Sequence, residues 1–189
     1  MTYEAMVADL QHLITTQQGM IDPVLIGHSM GGKVAMQFSQ TYPKVPHKLL
    51  LVDIARKAYD MTRLAKILLT LRHTPLQGLR TRTKVDQYLR RSIPEASVPL
   101  YCMKNMCCNA QGKVVWSSNI PILADSIPHL EQAVTFRAPF HKPALFINAD
   151  QSDYIQAQDL ALIKAMFPKY VLKRVILDTG STTIRLRHY

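Results

Sequence analysis

The chain has 189 residues, 48% of them hydrophobic and 19% charged, an ordinary globular composition with length enough for one domain and a real core. No apolar run approaches the length of a membrane span. Net charge is +10, yet a net eight of those charges fall between Arg56 and Arg91 with no aromatic stacking pattern interleaved, so the segment reads as a solvated basic face rather than a nucleic-acid site. Met6, Leu10, Leu13 and Ile14 share one face of an amphipathic helix over residues 2–18, which Gly19 and Pro23 end. An apolar run, Val24-Leu25-Ile26, predicts a strand, and residues 33–40 a helix that stops near Tyr42-Pro43. Residues 48–54 form a continuous apolar run, as in a parallel strand covered on both faces. Strand, helix and strand in this order make a βαβ unit and an α/β class.

Residues from Arg56 to about Pro139 change character. Leu64, Ile67, Leu68 and Leu71 predict a helical face, residues 85–91 a second helix, and residues 120–130 a short third one. Gln111-Gly112 marks a turn before the run at residues 113–116. The stretch reads as a mostly helical insertion over the sheet, in which Leu68, Leu71, Tyr88, Leu89 and Trp116 either line a pocket or pack a core. Residues 143–148 return to the sheet, residues 156–167 predict a helix, and residues 171–177 a last strand. The three cysteines, Cys102, Cys107 and Cys108, show no metal-ligand spacing and read as reduced thiols. The N-terminus has no basic region of the kind that opens a signal peptide, and a cytoplasmic setting is expected.

Chemistry concentrates in Gly27-His28-Ser29-Met30-Gly31, a G-x-S-x-G pentad. The pentad alone is a weak signal; an apolar strand before it and a helix-forming run after it supply the context it needs. A serine on a strained strand-to-helix turn projects its hydroxyl from the top of the sheet. Glycine two positions before and two after is expected to avoid collision. The helix behind it points backbone N–H groups and a positive dipole end at an incoming acyl oxygen.

With these pieces in this order, the chain resembles the α/β-hydrolase fold family, and within it bacterial esterases and acyl thioesterases with a compact helical cap. The resemblance runs from Met1 to about Gly180 and rests on Tyr3-Glu4-Ala5-Met6 with Asp9-Leu10, Ile26 to Lys33, Leu51-Val52-Asp53-Ile54-Ala55 and Pro143 to Ile147. It implies a partial α/β-hydrolase fold, a mostly parallel sheet flanked by helices, in a single incomplete domain over 1–189 with a cap insertion at about 56–139. Ser29 matches the nucleophile, and Met30 the residue whose backbone N–H is half of the oxyanion hole. Asp53 is the preferred acid, because it ends a buried strand next to the elbow strand, where a carboxylate can orient a histidine. The alternative lies after the strand at 143–148, where the family position falls near Ser152 and Asp153 is the candidate.

The departures from the family are equally specific. Its members carry a strand and a His-Gly loop upstream of the elbow that supply the second oxyanion donor, and the resemblance has no counterpart for them here. Members place Gly-His after the last strand, whereas Gly180 is followed by Ser181, and the only later histidine is His188, the candidate base. His28 lies inside the elbow, and His47, His73, His129 and His141 fall in loops or cap segments. Arg56 stands where this branch commonly has proline. The resemblance therefore implies an internal piece of such an enzyme. The expected activity is serine hydrolysis of carboxylic esters or thioesters on a small-molecule substrate, without cofactor or metal. The alternative is a remnant or acyl-binding module without turnover. A missing neighbour strand would leave Val24–Gly27 as an apolar sheet edge open to self-association.

Overall fold

A computed structural model describes residues 1–79, 81–177 and the backbone of 184–185. In chain order these are α1 (Tyr3–Thr16), β1 (Val24–His28), α2 (Met30–Thr41), β2 (Lys48–Val52), α3 (Thr62–Arg72), α4 (Leu76–Leu79), α5 (Arg82–Ser92), α6 (Ser97–Met103), β3 (Met106–Cys108), β4 (Val114–Trp116), α7 (Ile120–Asp125), α8 (Ile127–Leu130), β5 (Ala144–Ala149), α9 (Leu160–Met166), β6 (Tyr170–Leu177) and β7 (Ile184–Arg185). The described chain divides into two compact units, one of residues 60–131 with Met1, the other of residues 2–59 and from 132 onward.

The second unit is the α/β part. Its sheet runs β1-β2-β5-β6-β7, parallel from β1 to β6, with β7 antiparallel beside β6. Side chains alternate across a strand. Leu25, Leu49, Leu51, Ala144 and Phe146 therefore share a face and join one buried cluster with Val7 and Ile14 of α1, Met36 and Phe38 of α2, and Ile163 of α9. Phe146 is fully buried, edge-on to Phe167 with ring centroids 5.3 Å apart. Thr2 starts α1 by accepting a hydrogen bond at Oγ1 from the Ala5 N–H (3.2 Å). The helix expected at 156–167 opens as a single 3₁₀ turn at Ala157–Asp159, because the Asp159 carboxylate reaches back to the Gln156 N–H (2.8 Å) before α9 begins.

Two cations of the basic segment serve this unit as structure. The Arg56 guanidinium Nε donates to the Val134 carbonyl (3.1 Å), while the Val134 N–H returns a bond to the Arg56 carbonyl (2.7 Å). Lys57 pairs with Asp159 at 2.7 Å. The first contact stitches the chain leaving β2 to the chain returning towards β5, and the second ties it to the turn that opens α9 beyond β5.

The unit of residues 60–131 has its own cluster, built on Leu68, Leu71, Val85, Leu89, Cys102, Met103, Met106 and Ile127, with Tyr88 and Trp116 packed against it. Of the apolar residues read as pocket or core, Leu68, Leu71 and Leu89 are core and Tyr88 packs against it, while Leu71 and Trp116 also line a cavity with Leu76, Val114 and Ile120. Sequence periodicity missed α6 and β3. The latter pairs antiparallel with β4, joining the Met106–Cys108 run to the one expected at 113–116. Arg82 ties α5 to this region by donating to the carbonyls of Met103 (2.9 Å) and Met106 (3.3 Å). The single helix expected over 120–130 is two, α7 and α8. Ser126 closes the first turn on the Ile122 carbonyl, and Pro128, lacking an N–H, sits in the opening turn of the second. No helix among the described residues is long and apolar enough to cross a membrane.

Candidate active site

Parallel register brings the site together. His28 of β1 pairs with Val52 of β2, and Val52 with Ile147 of β5, so Ser29 and Asp53 emerge side by side from the carboxyl ends of neighbouring strands. Open α/β sheets place their ligands at these ends. The Ser29 N–H donates to the Val52 carbonyl (3.1 Å), and the Asp53 N–H to the Ile147 carbonyl (2.7 Å), which extends the ladder one residue past each strand.

Both residues then turn sharply. Ser29 has φ +51° and ψ −119°, and Asp53 has φ +53°, a region that non-glycine residues rarely occupy. Such strain persists only where the surroundings fix it. At Ser29 the fixing is done by the helix. The Ser29 carbonyl accepts from the N–H groups of Gly32 (2.9 Å) and Lys33 (3.2 Å), so α2 begins at Met30, three residues earlier than the sequence pattern placed it.

The glycines around the turn differ from expectation. A Cβ on Gly27 would strike the Gly31 carbonyl oxygen and stand 2.6 Å from the Gly32 nitrogen, so glycine is required there. A Cβ on Gly31 meets nothing within 4 Å. The second crowded position is Gly32, whose added Cβ would strike Ile54 Cγ2 and lie 3.1 Å from the Gly27 carbonyl oxygen. Close approach of α2 to the chain beyond β2 sets that requirement, and the pentad spacing does not reveal it.

Met30 is the first residue of α2, and its N–H is one of the helix's orphan donors, directed out of the N-terminus beside Ser29. Asp53 is half-buried and held at both oxygens: Oδ1 accepts from the Ala149 N–H (3.3 Å) and Oδ2 from the Ser152 hydroxyl (2.9 Å). Ser152 in turn accepts from the Tyr154 N–H (3.3 Å). Asp153, the alternative acid, is exposed. Ser152 as the partner of Asp53 escaped the sequence reading, although its place at the family's other acid position was the available signal. None of the described histidines hydrogen-bonds to Ser29 or Asp53. His188 and Ser181 lie outside the described residues.

Replacing Ser152 with alanine leaves Asp53 Oδ2 without that donor. The folded chain is expected to lose about 1.5–3 kcal/mol, the usual worth of a hydrogen bond to a charged group. A urea midpoint equal to that of the unaltered chain would show that the hydroxyl contributes nothing.

Lys33 is a second residue that sequence reasoning passed over. It is 1% exposed, on the first turn of α2. Its Nζ donates to the Gln132 carbonyl (2.6 Å) and lies 4.9 Å from the Tyr59 ring centre and 5.5 Å from that of Tyr3. Burial lowers its pKa to about 8 from an ordinary 10.5. Burial pushes the Tyr3 phenol up to about 12, and the same effect raises Tyr59 well above its ordinary value of 10.0. The unfolded chain therefore keeps the lysine proton between about pH 8 and 10.5 while the folded chain releases it, so stability rises with pH through that window. Above pH 10.0 the unfolded tyrosines ionise first and stability falls. Denaturation midpoints are expected to climb from about pH 8 to 10 and then drop, and Lys33→Met to flatten the climb. A climb that Lys33→Met leaves intact would assign it to another group.

No family model matches the chain. A solved esterase from a marine microorganism is 33% identical and superposes with a TM-score of 0.86 over 93% of this chain and 69% of that one. Mouse (Mus musculus) sn-1-specific diacylglycerol lipase ABHD11 is 30% identical over 92% of this chain and 58% of its own length. Esterase YbfF of Escherichia coli K12 is 32% identical over 89% of this chain and 64% of its own length. The chain thus spans a little under two thirds of these two curated relatives. The strained serine between β1 and α2 and the parallel order of β1, β2, β5 and β6 place it structurally where the esterase match places it by sequence: the chain belongs to the α/β-hydrolase fold family.

Proposed function

We propose that this chain carries the nucleophile of a serine hydrolase of carboxylic esters that works by acyl transfer. The observation that carries the reading is Ser29, held at φ +51° at the start of α2 beside the doubly bonded Asp53 carboxylate. In this reading the Ser29 hydroxyl attacks the acyl carbon as a histidine takes its proton, and the Met30 N–H donates to the oxyanion. Asp53 orients that histidine, which the family resemblance expects after β6, in residues 178–189. The leaving alcohol departs with the histidine's proton, and water then releases the acid from the acyl-serine. A thioester offers the same acyl carbon with a better leaving group. The substrate is a small molecule, and the free thiols of Cys102, Cys107 and Cys108 support a reducing, cytoplasmic setting.

The test is reaction of the purified, folded chain with a fluorophosphonate serine probe, alongside p-nitrophenyl acyl esters, acyl thioesters and a diacylglycerol. Stoichiometric labelling mapped to Ser29 by peptide mass spectrometry, with turnover of at least one ester series, is the expected result. A chain with native circular dichroism that neither labels nor turns over any of them sinks the reading.

A further inference from the structure

Asp53 holds a positive φ at the end of β2, and the bonds its carboxylate accepts from Ala149 and Ser152 do not fix the backbone that follows it. Tyr59 supplies that anchor. Its hydroxyl accepts from the Ala55 N–H (2.7 Å), two residues past Asp53, and donates to the Tyr154 carbonyl (2.7 Å), two residues past Ser152. The Ala55 carbonyl, at 3.4 Å, is the poorer acceptor for the one phenolic proton. A closed ring of hydrogen bonds results. Ser152 donates to Asp53 Oδ2 and accepts from the Tyr154 N–H, the Tyr154 carbonyl accepts from Tyr59, and Tyr59 accepts from Ala55, whose chain leads back to Asp53. The phenol ring is seated as well. Its centre lies 5.1 Å from that of the Tyr154 ring and 4.9 Å from the Nζ of Lys33 on the first turn of α2. Tyr59 therefore touches the segments that follow β1, β2 and β5, the three that build the site.

With Asp53 read as the acid of a serine hydrolase, we propose that Tyr59 is a positioning residue for that reaction, its hydroxyl fastening the chain after β2 to the chain after β5 so that the Asp53 carboxylate keeps the direction a histidine needs. Tyr59 acts through Asp53 and exchanges no proton in the reaction. Both of its short bonds go to backbone groups, so the clamp fixes main chain rather than a mobile side chain. Burial keeps the phenol protonated, as a donor to the Tyr154 carbonyl must be. Hydrogen bonds that close a ring support one another, so opening one loosens the rest. A misplacement of about 1 Å of a group that orients the reaction costs about 100-fold in rate, and loss of one anchor of that group is expected to cost about tenfold.

Tyr59→Phe in the full chain tests this, with Gln40→Ala as the comparison. The first removes only the hydroxyl and leaves the ring in its seat. The second removes a bridge from α2 to the backbone of Arg137 and Ala138, away from the clamp. Both are expected to lower the urea midpoint. Only Tyr59→Phe is expected to lower kcat on a p-nitrophenyl ester about tenfold, with KM within about a factor of two. It is also expected to move the acid limb of the kcat/KM profile about half a unit towards lower pH, because a loosened carboxylate favours the charged imidazole less. Tyr154→Ala removes an exposed ring, keeps the carbonyl bond, and is expected to shift kcat and the acid limb in the same directions by less. A second readout needs no turnover. Amide hydrogen exchange at Ala149, whose N–H meets Asp53 Oδ1 and not Tyr59, is expected to quicken about tenfold in Tyr59→Phe and to stay unchanged in Gln40→Ala. An unaltered chain without ester turnover overturns the hydrolase reading and leaves exchange at Ala149 to decide whether Tyr59 holds Asp53. Exchange at Ala149 that Tyr59→Phe leaves unchanged, an active Tyr59→Phe chain with unaltered kcat and pH profile, or the same changes in Gln40→Ala each overturns the proposal.

Discussion

Replacing Ser29 with alanine is expected to abolish fluorophosphonate labelling and to lower ester turnover by at least about 10³-fold, with the fold unchanged. The size follows from the role. In the proposed mechanism binding, the Met30 N–H and the ordered Asp53 all remain, but no atom is left to form the acyl intermediate. The fold is expected to survive because Ser29 holds α2 through its backbone: its carbonyl accepts from Gly32 and Lys33, and its N–H donates to Val52. Its side chain makes no capping bond to the helix. Alanine at φ +51° carries the same strain as serine, so stability should change by less than about 1 kcal/mol. Turnover that survives Ser29→Ala would move the nucleophile elsewhere and remove the basis of the proposed mechanism.

The second large effect is structural. Gly27→Ala is expected to cost about 3 kcal/mol or more, enough to lose much of the folded population. The new methyl strikes backbone atoms, the Gly31 carbonyl and the Gly32 nitrogen, and these cannot swing aside without moving the start of α2 away from β1. Gly32→Ala should cost less, about 1–2 kcal/mol, because the atom it meets first is the end of the Ile54 side chain. Gly31→Ala should be neutral or stabilising by up to about 1 kcal/mol, since alanine favours a helix and its methyl has open space. Urea denaturation of the three variants gives the order directly. Equal midpoints for Gly27→Ala and Gly31→Ala would mean that the turn relaxes far more easily than its geometry implies.

This contrast marks the limit of the pentad as a signal. Spacing correctly identified Ser29 as the residue of a strand-to-helix turn, and it assigned the steric need to Gly27 and Gly31 alike. Only the packing of α2 against Ile54 moves the second requirement to Gly32, because that contact joins segments whose approach no local pattern encodes. The same holds for the carboxylate. An apolar run ending in aspartate was visible at residues 48–53. That Ser152 donates to Asp53, 99 residues earlier in the chain, follows from β2 and β5 lying side by side.

The sequence by itself determined the α/β class, the order of the sheet-forming segments, the elbow at Ser29 and the division between a sheet-forming part and a helical stretch. These depend on periodicity and turn chemistry, which act over a few residues. Tertiary structure alone decided the rest: the hairpin of β3 with β4, the break between α7 and α8, the buried seat of Lys33 and the grip on Asp53. Each of these depends on which distant segments the fold brings into contact, and on the desolvation and hydrogen bonding that contact imposes.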